Sequence, residues 1–340
     1  MTERQAPYAT LAAGRATLRF FLGDCLDCLP RLPPHSVDVV VTSPPYNLGI
    51  KYRSYQDTLP RDEYLAWTER WVSSVADLLS PEGSLFLNVG AKPTDPWVAM
   101  DIAQAVRRRL QLQNTIHWIK SIVIESGAAG AGAGLTRDLA VGHYKPINSP
   151  RFVNDCHEFI FHFTPAGETR LDRTAVGVPY QDQSNVTRWQ AAAGGLRCRG
   201  NAWFLPYDTI NSREKDRPHP ATFPVRLPEY CLRLHGLERA RLVLDPFMGL
   251  GSSALACAAL GIDFVGIELD RQYLDEAIER TKRALRESES VPEGESLPET
   301  SSLPDSVSLP ESLSLPFEEP RNEPRTRRSR QGQGALPRGR

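Results

Sequence analysis

The 340-residue chain is 41% hydrophobic and carries 40 Lys and Arg against 41 Asp and Glu, a formal net charge of −1. That balance allows a sizeable core and excludes binding to nucleic acid through overall charge, so any such contact must be local. Six scattered cysteines exclude a disulfide scaffold, and no charged-then-apolar leader or apolar run of ~20 residues is present, so a cytoplasmic, bacterial-type protein is expected.

In chain order, Thr17–Asp24 reads as a short strand ending in Gly-Asp, and Cys25–Leu32 as a short helix. Cys25-Leu-Asp-Cys28 has no second pair and no His pair at finger spacing, so no metal site is expected. Val37–Val41 is a strongly apolar strand that ends at Thr42-Ser-Pro-Pro-Tyr46. Arg61–Leu79 has helical spacing. Pro81-Glu-Gly83 signals a turn before a strand at Ser84–Val89, and a helix near Trp97–Leu110 and a strand near Asn114–Ile119 follow. Gly127–Gly134 is a loop by composition. Glu158–Phe163 looks like a further strand, and Thr164–Tyr207 is irregular. The rhythm returns with a helix at Phe223–Leu234, a strand at Ala240–Leu244, a helix at Ser252–Leu260, a strand at Asp263–Ile267 and a helix at Arg271–Arg286. Alternating strands and helices predict an α/β fold with a largely parallel sheet. From residue 287 a Ser-Leu/Val-Pro unit recurs at Ser290, Ser296, Ser302, Ser308 and Ser314. Proline in every unit forbids helix and central strand, so the tail at 287–340 is expected to be disordered, with an arginine-rich end.

Val243–Ser253 reads as a strand, a glycine turn and a helix start. Gly249 and Gly251 let the backbone bend and approach a ligand, and the helix beginning near Ser252 offers free N–H groups. Glu268 ends the next strand, where an acid can accept from ribose hydroxyls. A Gly-x-Gly turn followed by an acid also suits a nicotinamide dinucleotide, but Ala254 replaces the third glycine. Asp245 would repel a pyrophosphate and attract the cationic end of S-adenosyl-L-methionine.

Thr42-Ser-Pro-Pro-Tyr46 lies at the carboxyl end of a strand, where open α/β sheets place ligands. An exocyclic amine on a base is a weak nucleophile because its lone pair is delocalised. Ser43 Oγ and the Pro44 carbonyl could hold its hydrogens and favour sp³ geometry, while Tyr46 could stack on an extruded base.

With these motifs the chain resembles the SPPY amino-methyltransferases of DNA, in the permuted arrangement called beta class. Further shared elements are Gly23-Asp24, Gly142–Asn148, His157-Glu-Phe-Ile-Phe161 and Pro218–Pro224, and the match covers most of residues 17–286. The resemblance implies a Rossmann-like, circularly permuted methyltransferase fold that methylates cytosine N4 in double-stranded DNA by base flipping. It implies a catalytic set of Ser43, Pro44, Pro45 and Tyr46. The implied cofactor set is Asp24, Thr42, His219, Pro220, Asp245, Pro246, Phe247, Gly249, Gly251, Ser252 and Glu268. It also divides the chain into a catalytic half (1–121), a target-recognition region (122–207), a cofactor half (208–286) and the tail.

Ring-carbon methylation of cytosine needs a cysteine nucleophile, typically in a Pro-Cys pair, and none occurs. N6-adenine methylation is the nearer rival; relatives acting on adenine more often carry Asp or Asn where this chain has Ser43. A silent DNA-binding regulator would be expected to lose Ser43 or the glycines. Candidate DNA contacts are Gln183, Asn185, Arg188, Trp189, Arg197, Arg199, Arg213, Lys215 and Arg217. The sequence leaves open whether the protein is a monomer or a homodimer, and whether a cognate restriction endonuclease acts separately.

Overall fold

The computed structural model describes residues 6–50, 52–128, 135–142, 149–180, 186, 195–206 and 222–289. In chain order these form β1 (Ala9–Ala13), β2 (Ala16–Leu22), α1 (Cys25–Cys28), β3 (Val37–Thr42), α2 (Arg61–Leu78), β4 (Leu79–Val89), α3 (Val98–Val106) and β5 (Gln111–Ile119). Then come β6 (Ser121–Ile124), β7 (Leu139–Gly142), β8 (His157–Thr164), β9 (Val178–Pro179), β10 (Leu196–Arg197) and β11 (Ala202–Phe204). The described chain ends with α4 (Arg226–His235), β12 (Leu242–Asp245), α5 (Ser252–Leu260), β13 (Asp263–Glu268) and α6 (Arg271–Glu289). The tail expectation lies almost wholly outside the described residues, as do residues 143–148 and most of the Pro218–Pro224 motif.

Nine strands make one sheet in the order β1-β2-β13-β12-β3-β4-β8-β5-β11. Its centre, β2-β13-β12-β3-β4, is parallel throughout. Every residue of β3, Val37-Asp-Val-Val-Val-Thr42, is buried. Such a run, β-branched at every position but Asp38, belongs in a parallel strand covered on both faces. One face packs on α1, α2 and α3, and the other on α4, α5 and α6. On α2, Tyr64, Thr68, Trp71, Val72, Val75 and Leu78 are buried, the stripe of an amphipathic helix. The second half of the sheet is mixed: β8 runs antiparallel to both β4 and β5, and β11 joins β5 in parallel.

Three features differ from the sequence reading. Pro81-Glu-Gly83 does not separate two elements; it is absorbed into β4 as an irregularity, where pairing shifts from Val37 opposite Leu79 to Val39 opposite Ser84. The edge strand β1 went unread because Ala9–Ala13 has weak strand propensity and is held by its antiparallel partner β2. Residues 164–207, read as irregular, contain β11, whose short Ala-Trp-Phe is placed by burial of Trp203.

The catalytic-motif strand β3 precedes the glycine-loop strand β12 in the chain, yet the two are neighbours in the sheet. The loops that leave β2, β3, β12 and β13 therefore open at one edge, the carboxyl ends of parallel strands, where this architecture binds ligands.

Candidate active site

The loops after β2, β3, β12 and β13 enclose a cleft with about 1000 Å³ of empty space, part of it open to solvent. Ten of the residues expected at the site lie on its wall: Asp24, Ser43, Pro44, Pro45, Tyr46, Pro246, Phe247, Gly249, Ser252 and Glu268. Thr42, Asp245 and Gly251 are not on the wall. His219 and Pro220 lie outside the described residues.

Asp245 is fully buried beneath the cleft. Its carboxylate accepts from Thr42 Oγ1 at 2.7 Å, from Ser253 Oγ at 2.7 Å and from the Phe247 amide at 3.1 Å. Burial pushes the carboxyl up to about 6, against the lowering effect of these donors. The structure thus uses Asp245 as a brace joining β3, β12 and α5. Gly251 begins α5 with φ 77°, and a Cβ there would lie 3.1 Å from Ala277 Cβ, so its small size lets α5 pack closely on α6.

Glu268 ends β13 on the cleft wall. Its Oε2 accepts from the Gly249 amide and its Oε1 from the Asp270 amide, both at 2.8 Å. Burial raises this carboxyl above the ordinary range, while the two amides work in the opposite direction. A carboxylate oxygen has two acceptor positions, so each retains capacity for a hydroxyl of a bound ribose. Asp24 caps α1, accepting from the Leu26 amide at 2.8 Å.

Also on the cleft wall, Ser43 Oγ is 2.6 Å from the Tyr46 hydroxyl. Tyr46 is only 7% exposed, and its hydroxyl donates to Glu158 Oε2 at 3.1 Å and accepts from Asn88 Nδ2 at 2.7 Å. Asn88 Nδ2 also donates to Glu158 Oε2 at 2.7 Å, and Lys120 Nζ donates to Glu158 Oε1 at 2.8 Å. Glu158 falls within the His157–Phe161 motif, which sequence reading does not place at the site. Asn88 and Lys120 gave no signal, because only strand pairing brings β4, β8 and β5 together.

Tyr52, Ser54, Tyr55 and Trp67 add a wall that sequence reading missed. Trp67 stands on α2, and the loop carrying the other three is wound around Asp57, whose carboxylate accepts from the amides of Asn47, Leu48 and Ile50. Ser54 Oγ donates to Asp270 at 2.6 Å, clipping this loop to the start of α6. Of the candidate DNA contacts, Arg199 donates to the Val176 carbonyl at 2.9 Å and stacks over Tyr230, and Arg197 is exposed. The other seven lie outside the described residues.

Among the described residues, no three His, Cys, Asp or Glu side chains converge as a metal would require, and no helix is long and apolar enough to cross a membrane. Cys25 and Cys28 are buried, and burial pushes both thiols up.

Comparison with known proteins agrees with this geometry. A DNA methylase family model, N6_N4_Mtase, matches residues 37–279. The type II methyltransferase M.XycI of Xanthomonas campestris pv. cyanopsidis is 30% identical over 283 residues, covering 76% of this chain and 86% of its own. M.ScaI of Streptomyces caespitosus, also a type II methyltransferase, is 28% identical, covering 76% of this chain and 79% of its own. Among solved structures, TTHA0409 of Thermus thermophilus superposes with a TM-score of 0.51 at 25% identity, covering 78% of this chain and 95% of that one. The PvuII DNA methyltransferase superposes with a TM-score of 0.55 at 18% identity, covering 83% and 94%. TTHA0409 has also been solved with S-adenosyl-L-methionine bound. The chain belongs to the N6/N4 DNA methylase family, and it is a site-specific, S-adenosyl-L-methionine-dependent DNA methyltransferase.

Proposed function

We propose that this enzyme methylates the N4 amino group of cytosine in duplex DNA, with the target base turned out of the helix into the cleft. The observation that carries the reading is a single cleft lined both by Ser43 and Pro44 and by the hydrogen-bonded Glu268–Gly249 pair. The cofactor, when bound, supplies an already activated methyl group. In this reading Glu268 holds its ribose, the Gly249 turn and Phe247 border it, and Asp24 reaches its adenine end. Asp245 and Thr42 hold the two loops at their mutual distance from below.

Ser43 Oγ and the Pro44 carbonyl then accept from the target amino group. Holding both hydrogens turns the nitrogen lone pair toward the methyl carbon and favours pyramidal geometry. Such positioning supplies most of the rate when the electrophile is already activated. A serine at position 43 is the residue that the family resemblance associates with cytosine. The region at 122–207 is assigned to target recognition: besides β8 and β11 of the main sheet it contributes to two small sheets, β6-β7 and β9-β10, outside it.

Mass spectrometry of nucleosides from duplex DNA treated with purified enzyme and isotopically labelled cofactor tests the reading. Label in N4-methylcytosine is expected. Label in N6-methyladenine alone overturns the choice of base, and label in 5-methylcytosine overturns the mechanism.

A further inference from the structure

Ser43 can serve a target amine only if its hydroxyl proton points away from it. A serine hydroxyl rotates freely and can either donate or accept, so something must fix its direction. We propose that Glu158 is the positioning residue that does so, making Ser43 Oγ an obligate acceptor and the site selective for bases that carry an amino group rather than a carbonyl. This inference rests on the assignment of Ser43 to the target amino group.

The direction follows from counting protons. An ionised carboxylate only accepts. Tyr46 has one hydroxyl proton, and it goes to Glu158 Oε2 at 3.1 Å. Asn88 Nδ2 donates to both Tyr46 and Glu158 at 2.7 Å and, in a longer contact of 3.5 Å, faces Ser43 Oγ as a donor too, which likewise leaves the serine proton to point elsewhere. Turning that amide over would set its carbonyl oxygen against the carboxylate, so Glu158 also settles which way Asn88 faces. With the phenol proton committed, the 2.6 Å contact between Ser43 and Tyr46 has one donor left, the serine. The chain of donation therefore runs from Ser43 to Tyr46 to Glu158, and lone pairs of Ser43 Oγ are what remain for a ligand in the cleft.

The anchor is built for this. The Glu158 side chain is 13% exposed and faces Lys120, which is 19% exposed and supplies the countercharge at 2.8 Å. Asn88 is 2% exposed. Gly90 gives the ring its place: a Cβ there would lie 3.0 Å from Tyr46 Cε2 and 3.2 Å from Glu158 Cγ. Charge-assisted hydrogen bonds in such a dry setting are the stronger kind and hold their geometry.

The chemistry of selection follows. Cytosine and adenine present an N–H to Ser43; uracil and hypoxanthine present a carbonyl at the same position, lone pair against lone pair. In Glu158→Gln the amide can donate to Tyr46, which frees the phenol proton to turn to Ser43 and the serine proton to turn to the cleft. The polarity of the site is then no longer imposed.

The test uses the full chain and the recognition sequence that methylome sequencing of an expressing host defines. Binding is measured for two duplexes that differ only in the target base, cytosine or uracil (adenine or hypoxanthine if the target is adenine). The ratio is taken for wild type and for Glu158→Gln. The cost of opening each base pair is the same for both proteins and cancels. Glu158→Gln should lower the discrimination ratio by about tenfold or more and slow single-turnover methylation by about 100-fold, because a site built to pair with an N–H loses its means of rejecting the analogue. Cofactor affinity should change by no more than about twofold, since Glu158 acts through Tyr46 on catalysis rather than on cofactor binding. Tyr46→Phe breaks the link while leaving Glu158, Asn88 and Lys120 in place. It should reproduce the lost discrimination, and adding Glu158→Gln to it should change nothing further. Wild-type discrimination in Glu158→Gln, or effects of the two substitutions that add, would overturn the inference while Ser43→Ala still abolishes turnover. Full turnover in Ser43→Ala would overturn the inference together with the assignment beneath it.

Discussion

Thr42 Oγ1 donates to Asp245 Oδ1 across 2.7 Å, tying the last residue of the strand that leads into the Ser-Pro-Pro-Tyr loop to the last residue of the strand that leads into the glycine loop. The two residues are 203 positions apart in the chain, and both are fully buried. Thr42→Val keeps the shape and removes the donor. It should destabilise the protein by about 1–3 kcal/mol, the cost of taking a partner from a buried charged group. It should also slow methylation by loosening the distance between loops. Urea denaturation and single-turnover kinetics measure the two effects; an unchanged denaturation midpoint would show that the bond is not a brace.

Glu268→Ala should weaken cofactor binding while the fold persists. Losing charge-assisted hydrogen bonds to a ribose should cost roughly 1.5–3 kcal/mol each, about 10- to 100-fold in dissociation constant. The Gly249 and Asp270 amides also lose their acceptor, so a modest fall in stability should accompany the change. Calorimetric titration with S-adenosyl-L-methionine decides it, and an unaltered dissociation constant would remove Glu268 from the cofactor site.

Two buried histidines make the fold acid-sensitive. His162 Nε2 and His235 Nδ1 share Ser84 Oγ, at 3.0 and 2.9 Å. Burial pushes His162 down to about 3 and His235 to about 4, so both are neutral in the folded chain at ordinary pH. An unfolded histidine takes a proton near pH 6.5. Stability present above that value is therefore lost as pH falls through it, by on the order of 2 kcal/mol per histidine at pH 5. Asp245, pushed up, works in the opposite direction over the same range. His162→Gln isolates the histidine share: unfolding followed between pH 7.5 and 5 should show a shallower decline than in wild type, and parallel curves would refute the assignment.

A chain ending at Glu289 should retain the fold and cofactor binding. All strands of the main sheet and both hydrophobic cores lie before that residue. The arginines at 325, 327, 328 and 330 should add non-specific DNA affinity, seen as a steeper salt dependence in the full chain. Loss of the cooperative thermal transition on truncation would mean that residues after Glu289 belong to the core.

Local pattern determined much of this protein. The apolar run Val37–Val41, the stripe on α2 and the strand-glycine-helix passage at Leu242–Leu260 are periodic or punctuated within a few residues, and they announce a buried parallel strand, a covering helix and a ligand turn wherever they occur. What the tertiary structure alone decided are relationships between side chains far apart in sequence. Asp245 reads as a ligand to the cofactor from its place before the glycines; that it is fully buried and takes three donors from its own chain is visible only in the structure. Tyr46 reads as an aromatic face for an extruded base; that Glu158, 112 positions later, holds its hydroxyl is visible only in the structure. That meeting depends on the register that sets Asn88 opposite Ile160 and Trp118 opposite Glu158. A one-residue slip in β8 would turn Glu158 to the other face of the sheet. Register is settled by the packing of both faces at once, and no window of sequence contains it.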